Sequence, residues 1–100
     1  MNGAIKVTIN ANKLDLPRCP AIYAIFSETE CRFIGMTDNL YEKINGHLMP
    51  TEKIIPLRYF MQSYKQKLLQ YKIFPENLSL KEREAIKEKW IDFYMPSDNE

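Results

Sequence analysis

The chain has 100 residues, 45% of them hydrophobic, and a formal net charge of +1 at pH 7. This is sufficient for one small domain, predicted to span residues 1–100, whose core needs neither metal nor disulfide bonds. No apolar run is long enough for a transmembrane helix, and the first residues do not resemble a signal peptide. Cys19 and Cys31 are too few for a disulfide scaffold and match no zinc pattern, so we expect reduced thiols in a cytoplasmic protein.

Charge is distributed unevenly along the chain. Residues 51–75 contain five basic side chains against Glu52 alone, whereas residues 76–100 contain four basic and seven acidic groups. A basic middle segment is suited to phosphates. The same charges are equally compatible with a solvated helix face, so both interpretations remain open.

The first half of the chain predicts strands followed by a helix. Alternating apolar residues predict an edge strand within 4–9, and residues 10–20 form a connector. Residues 21–26 and 31–34 predict two further strands, paired antiparallel because the loop between them is short. We then expect a turn at Gly35 and a helix closed by Pro50.

This first helix has two distinct faces. Thr37, Asp38 and Asn39 are the candidate residues that cap its amino end. Leu40, Ile44 and Leu48 recur every four residues and predict its buried face, whereas Asn39, Lys43 and His47 share another face.

The second half predicts a helix, a strand and a last helix. Pro56 begins the helix, whose predicted buried residues are Leu57, Phe60, Met61, Tyr64 and Leu68. We expect the tyrosines and Phe60 of this helix to belong to the core rather than to stack on bases. Residues 71–74 predict a strand. Ser79 and Glu82 form a capping box for a helix that runs to about Tyr94, with Ile86, Trp90 and Phe93 facing inward.

Two tripeptides, Ala21-Ile22-Tyr23 and Phe33-Ile34-Gly35, resemble the half-motifs of the GIY-YIG nucleases. Other residues fall at that family's spacing: Thr37, Asn39-Leu40, Lys43, His47, Trp90-Ile91, Pro96 and Asn99. The resemblance covers residues 20–99, and residues 1–19 would add a strand and a connector. It implies an α/β (α+β) fold, in which a small, mainly antiparallel sheet of three or four strands is flanked by three helices.

The resemblance also implies a chemistry, the hydrolysis of a DNA phosphodiester with one divalent metal. In the family, a glutamate on the last helix holds the metal, an arginine on the first helix steadies the phosphate, and tyrosines and a histidine serve proton transfer and positioning. Carried over to this chain, the candidate catalytic residues are Tyr23, Lys43 and His47.

Three positions depart from the family's pattern. Phe33 stands where the second motif has a tyrosine, and Lys43 replaces the arginine without its planar fork. Lys87 stands where the metal-binding glutamate belongs, and an ammonium group repels Mg²⁺. No cofactor is therefore expected unless another carboxylate serves. Glu84, one helical turn before Lys87, is the candidate ligand for Mg²⁺ or Mn²⁺ in an active enzyme.

These departures leave three hypotheses. The favoured one is a nuclease-like domain with a degenerate site that binds nucleic acid or a protein partner, with weak or no catalysis. The second is an active metal-dependent DNA endonuclease, and the third is a protein-interaction or inhibitory module on the same scaffold. The candidate contacts to nucleic acid are Lys43, Arg58, Lys65 and Lys87, and no membrane partner is expected.

Overall fold

The computed structural model describes residues 14–48, 52–63 and 66–99, together with the backbone of residues 2–7. The order of elements is the predicted one: β1 Asn2–Val7, β2 Ala21–Phe26, β3 Cys31–Thr37, α1 Leu40–His47, α2 Ile55–Gln62, β4 Lys67–Ile73 and α3 Leu80–Tyr94. None of the helices in these ranges is long and apolar enough to cross a membrane.

The strands form one antiparallel sheet in the order β1-β4-β2-β3. The predicted antiparallel pairing of β2 with β3 is confirmed, with Tyr23 opposite Gly35. The predicted edge strand is also present, as β1 over residues 2–7, whereas residues 8 and 9 and Pro50 lie outside the described part of the chain. The sheet and its three helices confirm the predicted fold class.

The boundary between α2 and β4 was predicted wrongly. The helix ends at Gln62, Ser63 is already extended, and β4 begins at Lys67 rather than at residue 71. Leu68 was expected on the helix but pairs with Phe26 in the sheet. Pairing with a central strand prevails here over a helical spacing of apolar residues. Tyr64 is not among the described residues.

Alternation along β2 and β3 sends side chains to two different layers. Tyr23, Ile25 and Phe33 pack with the first two helices, through the buried residues Leu40, Ile44, Leu57, Phe60 and Met61. Ile22, Ala24 and Ile34 face the other side, where they meet Phe74 and the inner residues of α3. Strand β2 is therefore covered on both faces of the sheet.

The ends of the helices follow the predicted caps. Asn39 caps α1 by accepting a hydrogen bond from the N–H of Glu42 at 3.1 Å, and Ser79 and Glu82 form the capping box of α3. α3 ends at Tyr94, as expected. The predicted inward position of Phe93 is wrong, because Phe93 is 79% exposed and Tyr94 packs inward in its place. Ile86, Trp90 and Tyr94 recur every four residues and so share one face.

Candidate functional site

The hydroxyl of Tyr23 belongs to a buried chain of polar contacts. Its Oη lies 2.6 Å from Nε2 of His47, the last residue of α1. The other ring nitrogen of His47, Nδ1, contacts carboxylate oxygen Oε2 of Glu52. Tyr23 is 0% and His47 2% exposed, so this chain links β2, α1 and the segment before α2 inside an otherwise apolar layer.

Glu52 is the site residue that the sequence analysis missed. It lies outside any helix or strand, and its second oxygen, Oε1, accepts a hydrogen bond from the N–H of Ile54 at 3.2 Å. One signal in the sequence pointed to it: Glu52 is the only acid in the basic segment 51–75 and follows His47 by five residues. The structure pairs that lone carboxylate with the lone histidine.

Burial and hydrogen bonding shift the pKa values of the three groups in this chain of contacts. Burial lowers the pKa of His47 below its ordinary value and raises that of Tyr23. For Glu52, burial acts to raise the pKa, but the hydrogen bonds from Ile54 and His47 outweigh it and hold the pKa below its ordinary value. We assign a neutral imidazole whose Nδ1–H donates to ionised Glu52, while Nε2 accepts a hydrogen bond from the hydroxyl of Tyr23.

Gly35 makes room for the tyrosine ring. The expectation of a turn at Gly35 is wrong, because the residue lies within β3 and has no positive φ. A Cβ at position 35 would lie 2.6 Å from Cζ of Tyr23 and 3.0 Å from Cε2 of Phe33. The absence of a side chain therefore lets Tyr23 cross the neighbouring strand and reach His47.

Phe33 closes this layer beside the histidine. Its ring centroid lies 5.4 Å from that of His47 and 6.1 Å from that of Tyr23. Phe33 contributes an apolar edge where the resemblance places a second hydroxyl. Of the two tripeptides, residues 21–23 and 33–35, only the first therefore carries a phenol hydroxyl, that of Tyr23.

A cleft of about 440 Å³ opens on the other side of His47. It is lined by Phe33, Lys43, Gly46, His47, Glu52, Lys53 and Ile54. Lys43 and His47 both line it, as their shared helix face predicts, and Lys53 joins them from the segment before α2. Both lysines are exposed, so the cleft is lined by two ammonium-bearing side chains and one carboxylate. Tyr23 is not among the residues that line the cleft.

No family profile matches the chain, and neither does any curated protein. Among solved structures, it matches a mutant of EndoII from bacteriophage T4 with a TM-score of 0.69. The chain folds like EndoII. The match covers 97% of this chain and 92% of that one at 18% sequence identity, and the fold resembles that of a GIY-YIG endonuclease. This likeness supports the predicted scaffold.

Several predicted site residues are not among those that line the cleft in this EndoII-like fold. Arg58 is half-buried on α2, where its Cζ lies 5.6 Å from the ring centroid of Tyr59. Glu84 is exposed and Lys87 half-buried on α3, the helix that packs on the opposite face of the sheet from Tyr23. Neither lines the cleft. Lys65 lies outside the described residues.

The basic middle segment is less accessible than its composition suggests. Lys67 is 3% exposed, and its ammonium donates to the backbone carbonyl of Ser63 at 2.7 Å. Burial lowers the pKa of Lys67. The ammonium of Lys67 is therefore hydrogen-bonded at the end of α2. Only some of the basic side chains of segment 51–75 face solvent.

The residues around the cleft do not fit a divalent metal. Mg²⁺ and Mn²⁺ require several oxygen ligands, and Glu52, whose two oxygens each accept a hydrogen bond, is the one carboxylate among the described residues that line the cleft. Lys43 and Lys53 add positive charge that repels a cation. Within the described residues, no three histidine, cysteine or acidic side chains come together in a way that could hold an ion.

Proposed function

We propose that this protein binds nucleic acid by holding backbone phosphates in the cleft. We further propose that it hydrolyses phosphodiesters weakly or not at all. The observation that carries the proposal is the pair of exposed ammonium groups, Lys43 and Lys53, at a cleft whose histidine is hydrogen-bonded through both ring nitrogens. Two lysines at one cleft neutralise phosphate charge without needing a metal.

The weak-catalysis part rests on the position of Tyr23. A group that takes part in proton transfer must come within hydrogen-bond reach of the reacting atoms. Tyr23 is fully buried, its hydroxyl is engaged with His47, and its pKa is raised by burial. Phe33 offers no second hydroxyl, and Lys87 occupies the position where the resemblance places the metal carboxylate. These features favour holding a phosphate over cleaving it.

The binding part is tested by fluorescence anisotropy with a labelled DNA duplex across a salt series. The variant Lys43→Ala/Lys53→Ala removes the two cleft lysines. We expect weaker binding and a salt slope lower by about two, because each phosphate-contacting lysine contributes about one to that slope. The matched control is Lys81→Ala/Lys89→Ala, which removes the same charge from exposed positions on α3. Equal losses in the two double variants would show a nonspecific charge effect and contradict the assignment of the cleft.

The catalytic part is tested by incubating supercoiled plasmid with the protein and Mg²⁺ or Mn²⁺. We expect the plasmid to remain intact over times at which DNA binding is complete. Cleavage that is lost on Glu84→Ala would instead establish an active endonuclease with a shifted metal ligand. DNA binding without detectable plasmid cleavage would agree with both the binding part and the catalytic part of the proposal.

A further inference from the structure

Tyr59 is an exposed aromatic side chain on α2, the helix that directly follows the cleft residues Lys53 and Ile54. It was expected in the core, but 69% of its surface faces solvent, whereas its helix neighbours Leu57, Phe60 and Met61 are buried. Ile55 is 54% exposed. Residues four apart share a helix face and lie about 6 Å apart along the axis, so Ile55 and Tyr59 form one apolar strip on the outer side of α2.

The strip begins at the residue that follows the cleft lining in sequence. Lys53 and Ile54 line the cleft, Ile54 is the N-cap of α2, and Ile55 is the first residue of the helix. Arg58 lies beside the tyrosine, with its Cζ 5.6 Å from the ring centroid. An exposed aromatic ring beside a guanidinium, next to a lysine-lined cleft, has the charge and the flat apolar surface that a nucleic-acid strand requires.

We propose that Tyr59 stacks against an unpaired base of a DNA strand whose phosphates lie in the cleft. The inference rests on the proposed function, because the cleft lysines supply the phosphate contacts. It adds a preference for single-stranded over double-stranded DNA. The bases of a duplex are stacked on each other, so only an unpaired base offers its face to the tyrosine. Arg58 provides a cation near both the ring and the strand.

The test compares three labelled ligands of equal length: oligothymidylate, a strand of the same charge made of abasic sites, and a duplex. The variant is Tyr59→Ala, with Tyr59→Phe as the conservative variant that keeps the ring. The matched control is Phe93→Ala, which removes an aromatic side chain that is 79% exposed from α3, against 69% for Tyr59. Circular dichroism checks that each variant is folded.

We expect Tyr59→Ala to weaken oligothymidylate binding by about tenfold, the usual effect of losing one stacked base. Binding of the abasic strand and of the duplex should stay unchanged, and so should the salt slope, because no charge is removed. Tyr59→Phe and Phe93→Ala should bind oligothymidylate as the unchanged protein does.

Two outcomes would overturn the inference. Equal losses on the abasic strand and on oligothymidylate would show that Tyr59 does not contact bases. Unchanged binding of oligothymidylate by Tyr59→Ala would exclude stacking. Failure of the proposed function looks different, because Lys43→Ala/Lys53→Ala would then leave the binding of all three ligands unchanged.

Discussion

The two faces of the sheet are built differently. On the side of Tyr23, α1 and α2 contribute side chains that are 0–1% exposed, namely Leu40, Ile44, Leu57 and Met61. On the other side, α3 has no buried residue along its whole described length, and it covers the sheet with half-buried groups. The tightly packed face also holds the hydrogen-bonded Tyr23, His47 and Glu52, so their geometry is set by a core with little freedom.

On the α3 side, the residues that match the nuclease pattern have structural roles. Trp90 packs against the sheet, and the side-chain amide of Asn99 pairs with both the N–H and the C=O of Ile34 at 2.8 Å. Asn99 thus satisfies backbone groups of β3, the strand at one edge of the sheet. A carboxylate at position 87 is needed for neither role. The packing of Trp90 and the hydrogen bonds of Asn99 therefore account for these two matching residues without any catalytic role.

The largest expected effect comes from replacing one isoleucine on each face of the sheet, which tests whether the two faces are packed differently. Ile44→Ala on α1 removes a side chain that is 1% exposed, and Ile86→Ala on α3 removes a half-buried one. We expect losses in the free energy of unfolding of about 3 kcal/mol and about 1 kcal/mol respectively, because a cavity forms only where neighbours cannot collapse. Urea denaturation measures both. Equal losses would show that the two faces are packed alike.

A smaller effect is expected from the glycine beneath the tyrosine. Gly35→Ala places a methyl group against the Tyr23 ring, so we expect a loss of about 2 kcal/mol in the free energy of unfolding. Gly46→Ala is the matched control, because nothing lies within 4 Å of its added Cβ. In helix α1 that change should stabilise the protein by about 0.5 kcal/mol. A harmless Gly35→Ala, measured by thermal or urea unfolding, would contradict the close approach of Tyr23.

Much of the fold could be predicted because local signals agreed with it. The alternating apolar residues, the short loop between β2 and β3 and the Ser79–Glu82 box each fix a neighbouring element. The start of β4 could not be predicted in this way. Leu68 fits a helical spacing, and only pairing with Phe26, a residue distant in sequence, makes it part of a strand.

The site was partly predictable for the same reason. Tyr23 belongs to the first motif, and Lys43 and His47 fall at recognisable spacings after the second. The structure places Lys43 and His47 at the cleft, with Tyr23 behind them. Glu52 lies on no periodic element, so its contact with His47 depends on how the chain returns after α1. The exposure of Tyr59 likewise depends on which side of a short helix meets the core.

The smallest expected effect is the change in the free energy of unfolding with pH, and its acid limit arises on the tightly packed face. The pKa of His47 lies below its ordinary 6.5, so folding excludes a proton that the unfolded chain would bind. The stability it confers is complete above that value and is lost as pH falls. Glu52, with its pKa below 4.5, adds a second loss at lower pH. Each group contributes at most about 1.4 kcal/mol per pH unit.

The alkaline limit runs in the opposite sense. Burial raises the pKa of Tyr23 above its ordinary 10.0 and that of Cys31 from 9.0 to about 11. Their contributions are complete below the ordinary values and decline as pH rises, first through Cys31 and then through Tyr23. Urea midpoints measured from pH 4 to 11 should therefore fall at both ends. Cys31→Ala should remove the onset above pH 9.0, and Tyr23→Phe the later decline. If Tyr23→Phe kept the full alkaline loss, the phenol would not be buried as the packing of this face requires.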